Sequence, residues 1–192
     1  MFLSTPRMPK SEYKMLVESK KSAKEEVAKG ASGKDPLLIV FAPNKGFKKD
    51  EFFQLLEGML ILTSNVVVID DEEPADSEDH MVGKISWMNM KDGRNEAMVE
   101  RYLQAADMAL IFEEHMQDVA RLLAHGVVVI GLDKSPLLEN YNASEETGNA
   151  FTFAKMGPWE IFRALVRAHE TYSFPYDWKH IVRGILKETG GN

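Results

Sequence analysis

Short apolar runs alternate with amphipathic segments along most of the chain, beginning near Pro36. Runs of strand length, rich in β-branched and aromatic residues, lie at 37–41, 65–69, 84–88, 108–112, 127–130 and 150–153. Segments with helical spacing lie at 49–62, 95–105, 114–125, 158–172 and 176–187. Several of the runs are apolar throughout, which is typical of strands covered by helices on both faces. The pattern predicts an α/β domain with one doubly wound, mainly parallel sheet of about six strands.

The first 35 residues differ from the rest in charge. They hold eight Lys/Arg against five Asp/Glu, whereas the remainder of the chain has a net charge of −10. Residues 11–29 have helix-forming composition, but their apolar stripe is sparse. We therefore predict a basic, loosely docked or flexible helical extension at 1–35, ending in a Gly/Ser-containing linker, and a domain at 36–192. A basic arm that binds an acidic partner is the alternative interpretation of the extension.

Composition narrows the classes of protein. The 192 residues carry a net charge of −7 and include no cysteine, so disulfides and thiolate zinc sites are excluded. A surface that binds nucleic acid is disfavoured by the negative charge, and no apolar run approaches the roughly 20 residues of a membrane helix. No signal peptide is apparent, so we predict a cytoplasmic protein without nucleic-acid or membrane partners. The five histidines are scattered, and neither a metal site nor a cofactor is predicted.

In a sheet of this kind, ligands bind beyond the carboxyl ends of the strands. The turn 42–47 after the first strand contains Lys45 and Gly46, which suit either a phosphate site or an ordinary turn. The segment 70–79 after the second strand has seven acids in ten residues, so it is either a solvated loop or a cation site. Glu113, Glu114 and His115 follow the fourth strand, either as helix-capping residues or as an acid–base or sugar-hydroxyl site.

Several of these segments resemble one protein family in order and spacing. The run 99–110 with its Ala106-Asp107 pair, Glu113 and the run 125–129 match successive family motifs, as do 146–153 and 161–172. The chain resembles the carboxyl-terminal, nucleotide-sugar-binding half of bacterial glycogen and starch synthases, which are GT-B glycosyltransferases. The resemblance implies a Rossmann-like domain that binds a nucleotide sugar. The ligand-binding residues it implies are Lys45, Gly46, Glu113, Thr147 and Gly148.

The departures from the family lie in its active site. The family arginine that precedes Lys45 has no counterpart, so half of the diphosphate clamp is missing. The acidic segment 70–79 replaces a glycine turn, Met116 replaces a glycine, and 134–140 lacks paired glycines. A GT-B enzyme also works in the cleft between two such domains, and 192 residues hold one. The resemblance therefore implies a retained scaffold with an eroded site, for which we predict no catalytic residue.

Three functions remain open. The first is a stand-alone glycogen- or starch-synthase-like domain that is a binding or interaction module and does not transfer glucose on its own. The second is the ADP- or UDP-glucose-binding subunit of a split glycosyltransferase, whose amino-terminal half is a separate protein partner. The third is an unrelated flavodoxin-like or response-regulator-like domain, which the paired Asp70 and Asp71 favour. Binding of any nucleotide is expected to be weak, because the acidic loop opposes phosphate.

Overall fold

The protein is described by a computed structural model over residues 10–27, 35–43, 47–63, 65–70, 85–89 and 96–189. The turn 44–46, nearly all of the predicted acidic loop and most of the predicted linker lie outside these residues. The helices in the described part are α1 Lys10–Val27, α2 Lys49–Leu62, α3 Glu96–Ala105, α4 Val119–Ala124, α5 Pro158–Tyr172 and α6 Pro175–Thr189. The strands are β1 Leu37–Phe41, β2 Asn65–Asp70, β3 Ile85–Asn89, β4 Met108–Leu110, β5 Val128–Leu132 and β6 Ala150–Phe153.

The strands form one six-stranded sheet in the order β3-β2-β1-β4-β5-β6. Every pairing in it is parallel. The central strand β1 pairs with β2 on one side and with β4 on the other, so that Ile39 lies between Val67 and Ala109. The predicted fold class, a doubly wound α/β domain, is confirmed.

Helices cover both faces because the chain leaves the centre of the sheet in two directions. It passes from β1 to β2 through α2, and from β4 to β5, in the opposite direction, through α4. Since crossovers between parallel strands are right-handed, these two helices lie on opposite faces. Helix α5 packs beside α2, while α1 packs beside α3 and α6 beside α4. All residues of β1 and β5 are buried, as the unbroken apolar runs predict.

The segment after β4 differs from the prediction. A single helix over 114–125 was predicted, but a 3₁₀ helix, Glu113–Asp118, precedes the short helix α4. Short 3₁₀ stretches often form the first turn of an α-helix, and no side chain caps this segment at Phe112. The change matters for function, because a 3₁₀ helix turns after three residues and so alters which side chains of 113–118 face the sheet.

Helix α1 is attached through polar as well as apolar contacts. Of the four residues of the predicted apolar stripe, Leu16, Ala23 and Val27 pack against the core, whereas Met15 is exposed. Lys20 is also buried and its ammonium donates a hydrogen bond to the carbonyl of Ala106, while Lys24 forms an ion pair with Asp107. The apolar stripe alone therefore predicts weaker packing of this helix than the structure shows, because the pattern of apolar residues leaves out the contacts of Lys20 and Lys24. The division of the chain at residue 35 stays a prediction.

Candidate functional site

The centre of the sheet is the place where the fold favours a ligand. The chain leaves β1 and β4 on opposite faces, which leaves a crevice beyond their carboxyl ends. Phe41 ends β1 there, and the 3₁₀ helix begins just beyond the end of β4. Asp70, at the end of β2, lies next in the sheet. Residues from three neighbouring strands therefore converge on one edge.

A cavity of about 280 Å³ opens at this edge. Its walls come from the ends of β1 and β2, from α3, and from the 3₁₀ helix and α4. They are formed by Phe41, Ala42, Ile69, Asp70, Val99, Leu103, Glu114, His115, Gln117, Asp118, Arg121 and Leu122. The inner wall is apolar, since Val99, Leu103 and Leu122 belong to the core. The cavity thus combines an apolar inner wall with polar side chains from β2, the 3₁₀ helix and α4, an arrangement common in sites for small organic ligands.

The charge around the cavity is predominantly negative. Among the described residues, three carboxylates line it, those of Asp70, Glu114 and Asp118, and one guanidinium, that of Arg121. That guanidinium is already engaged, because it lies 2.6 Å from a carboxylate oxygen of Glu100. The hydrogen bond from Arg121 lowers the pKa of Glu100, and His125, 2.8 Å away, lowers it further. Among the described residues of the lining, carboxylates therefore outnumber guanidinium groups, which disfavours a phosphate group.

Aromatic rings form the part of the site nearest β1. The rings of Phe41 and His115 lie 5.3 Å apart, centre to centre, at an angle of 45°. Behind them in the core, the ring of Phe112 packs against Phe47 and Phe52, with ring centres 5.7 and 6.1 Å away. An aromatic wall beside carboxylates is suited to a ligand that has a flat ring and hydroxyl groups, because the ring packs on the aromatics and the hydroxyls donate to the carboxylates.

The comparisons with known proteins bear on the fold. No protein-family model matches the chain, and no curated protein matches it in sequence. Among solved structures, the chain is similar to the catalytic domain of starch synthase IV from Arabidopsis thaliana bound to ADP and acarbose. The TM-score is 0.68 at 16% sequence identity, and the match covers 91% of this chain and 39% of that one.

The chain has the Rossmann-like fold of one half of a GT-B protein. This confirms the fold that the resemblance implies, while an identity of 16% shows the fold alone. The chain spans 39% of the length of the starch synthase domain that it matches.

The structure describes three of the five predicted site residues, and it separates Glu113 from Thr147 and Gly148. Lys45 and Gly46 lie outside the described residues. Glu113 lies at the carboxyl edge, directly after the end of β4. Thr147 and Gly148 precede β6 and therefore lie at the amino edge, at the opposite end of the strands. Thr147 exchanges backbone hydrogen bonds with Asn142 in the hairpin there, so the structure separates this pair from Glu113.

Glu113 itself points away from the cavity and towards the end of β5. Its carboxylate lies 2.6 Å from the ammonium of Lys134, and both side chains are more than half exposed. Met116, two residues before Asp118, packs partly buried against the core. Glu114 and His115, which the sequence offered together with Glu113, do line the cavity. At the start of the 3₁₀ helix, Glu114 and His115 therefore lie beside the cavity, whereas Glu113 does not.

Several cavity residues were not predicted from the sequence. Gln117, Asp118 and Arg121 reach the cavity because the 3₁₀ helix changes the rotation of 113–118 ahead of α4. The sequence does carry one signal, since polar residues persist at 117, 118 and 121 between the buried Phe112 and Leu122.

The described residues contain no group of three or more acidic or histidine side chains placed to hold a metal ion. Over the same residues, no helix has the length and apolarity needed to cross a membrane.

Proposed function

We propose that this chain is a non-catalytic GT-B-type binding module, whose carboxyl-edge cavity binds an uncharged nucleoside. The observation that carries the proposal is the charge of the cavity, with three carboxylates and one guanidinium that Glu100 already engages. Carboxylates accept hydrogen bonds from ribose hydroxyls, whereas they repel a diphosphate.

The position of Glu113 supports the absence of catalysis. A group that acts on a bound sugar has to reach it, and the carboxylate of Glu113 is instead paired with Lys134 at the exposed edge. The pair is solvated, so its contribution to stability is small and it offers little charge to a buried ligand. The described residues that line the cavity include no serine, threonine, cysteine or lysine. We therefore expect the purified chain not to transfer glucose from ADP-glucose or UDP-glucose.

The likeness to a solved structure favours a second candidate, a nucleotide-sugar-binding subunit of a split glycosyltransferase. The starch synthase IV domain was solved with ADP bound. The fold of this chain matches 39% of the length of that domain. An amino-terminal half from a separate protein would then complete the cleft between two domains. This candidate requires tight binding of ADP, which the negative cavity opposes.

The experiment that tests the proposal is an NMR titration of the isotopically labelled chain with adenosine. We expect the amide signals of Phe41, Ala42 and 114–118 to shift, with a dissociation constant in the range of about 0.1–1 mM. Asp118→Ala removes one ribose-hydroxyl acceptor and is expected to weaken binding about fivefold to tenfold. Asp133→Ala, at an exposed position after β5, is the matched control and is expected to leave the affinity unchanged.

Two results would contradict the proposal. The first is the absence of shifts at the cavity residues at saturating adenosine. The second is an equal loss of affinity in both variants, which would indicate a non-specific effect of charge. Micromolar binding of ADP at the same residues would instead favour the split glycosyltransferase.

A further inference from the structure

A second and larger cavity lies at the opposite, amino edge of the sheet. Its volume is about 580 Å³, and it is enclosed by α1, by the junction of α5 and α6, and by the residues that precede β1, β4 and β5. Its walls are largely apolar and aromatic, formed by Tyr13, Leu16, Val17, Tyr172, Trp178 and Val182. The cavity shares no residue with the one at the carboxyl edge.

Lys20 is a buried charge at the base of this cavity. The residue is 8% exposed, and its ammonium donates a hydrogen bond to the backbone carbonyl of Ala106. An ammonium has three hydrogens to donate, and this acceptor is neutral. A buried charge is costly unless it is paired and hydrogen-bonded, so the site has capacity for an anionic acceptor.

The carboxylate nearest to Lys20 is engaged by other groups. Asp107 accepts a hydrogen bond of 2.8 Å from the backbone amide of Leu37 and forms an ion pair with Lys24. The hydroxyl of Tyr172 also hydrogen-bonds it. Asp107 therefore attracts Lys20 without bonding to it. Burial lowers the pKa of Lys20 to about 8, with Asp107 opposing and Lys24 adding to that effect. At pH 7 the side chain still carries its charge.

The walls indicate the rest of the ligand. Tyr172 and Trp178 form an edge-to-face ring pair with centres 5.0 Å apart. The Tyr13 ring lines the cavity from α1. The ammonium of Lys179 and the guanidinium of Arg183 each lie 5.3 Å from the centre of that ring. Aromatic walls favour an aromatic ligand body, because rings pack on one another in tilted and edge-to-face geometries. Among the described residues, three lysines line the cavity (Lys20, Lys21 and Lys24) against two carboxylates (Asp35 and Asp107), so one negative charge on the ligand balances the lining.

We propose that the amino-edge cavity binds an aromatic carboxylate, whose carboxylate meets the ammonium of Lys20 and whose ring packs against Tyr172 and Trp178. The site is independent of the proposed nucleoside site, and either one stands if the other fails. Such a ligand would also tie α1 to α5 and α6, because it contacts all three helices.

The test is a calorimetric titration of the full chain at pH 7 with 3-phenylpropionate. We expect saturable binding below about 1 mM, and at least tenfold weaker binding of the uncharged 3-phenylpropanol. Lys20→Met keeps an unbranched side chain, one heavy atom shorter, but removes its charge, and is expected to weaken the binding of 3-phenylpropionate at least about tenfold. Lys14→Met is the matched control on the exposed side of the same helix, where Lys14 pairs only with Glu18, and is expected to leave the affinity unchanged.

A second variant keeps the test independent of the folding of Lys20→Met. Val17 lines the cavity and is 44% exposed, so Val17→Trp fills space without removing a charge and is expected to abolish binding. Inorganic phosphate is expected not to compete. The proposal is overturned if 3-phenylpropionate does not bind up to about 10 mM, if 3-phenylpropanol binds equally well, or if phosphate displaces the ligand. It is equally overturned if both Lys20→Met and Val17→Trp bind like the wild type.

Discussion

Replacement of Asp107 by alanine is expected to lower the free energy of unfolding by about 3 kcal/mol. Asp107 precedes β4, and its side chain is 9% exposed. One carboxylate oxygen accepts the amide hydrogen of Leu37, the first residue of β1, and pairs with Lys24 of α1. Truncation leaves that amide without its acceptor and Lys24 without its counter-charge. Lys20 loses the carboxylate that attracts it, so two lysines close to one another remain uncompensated.

The measurement is urea denaturation followed by circular dichroism, with two companion variants. Asp107→Asn retains an oxygen for the Leu37 amide but not the charge, and is expected to lose about half as much stability. Asp133→Ala removes an exposed carboxylate and is expected to change the free energy of unfolding by less than about 0.5 kcal/mol. A loss below about 1 kcal/mol in Asp107→Ala would show that the ion pair with α1 contributes little.

The second large effect is expected at Gly148, where alanine should lower the free energy of unfolding by about 2–4 kcal/mol. Gly148 has a φ of +94°, a conformation that side chains rarely adopt. A Cβ atom there would lie 2.6 Å from the carbonyl oxygen of Asn140 and 2.7 Å from the Cα of Tyr141. Both of these atoms are backbone, so the hairpin before β6 has to shift as a whole.

The chain offers a matched control for this substitution. Gly184 lies within α6, and a Cβ added there meets nothing within 4 Å. Gly184→Ala is expected to raise the free energy of unfolding by up to about 1 kcal/mol, because alanine is the better helix former. The two substitutions are chemically identical, so opposite signs in thermal or urea unfolding would isolate the effect of backbone conformation. Equal effects at both positions would contradict this explanation.

The fold was predictable because its determinants are local. The runs 37–41 and 65–69 are apolar on both faces, and only a parallel sheet under two layers of helices buries such runs completely. The helical segment predicted at 158–172 is observed as α5, and Pro158 occupies its first turn, where a proline is tolerated. What escaped prediction depends on residues far apart in the chain. Asp107 acts through Leu37, 70 residues away, and no local pattern reveals such a partner.

The candidate site was predicted in part. The carboxyl edge and the segment Glu113–His115 follow from strand order alone, and Glu114 and His115 do line the cavity there. The pairing of Glu113 with Lys134 was not predictable, because it joins the ends of β4 and β5 across the sheet. Thr147 and Gly148 were grouped with the site through the family resemblance. Their position before β6 places them at the other edge, where Gly148 allows a close backbone approach.

The central proposal is that the carboxyl-edge cavity binds a nucleoside and disfavours a diphosphate. The measurement that tests it most directly is calorimetric titration of the same preparation with adenosine and with ADP, at low ionic strength, where charge effects are largest. We predict that ADP binds at least about fivefold more weakly than adenosine, and that Asp118→Asn narrows this difference. ADP binding with a micromolar dissociation constant, tighter than adenosine and unaffected by Asp118→Asn, would contradict the account.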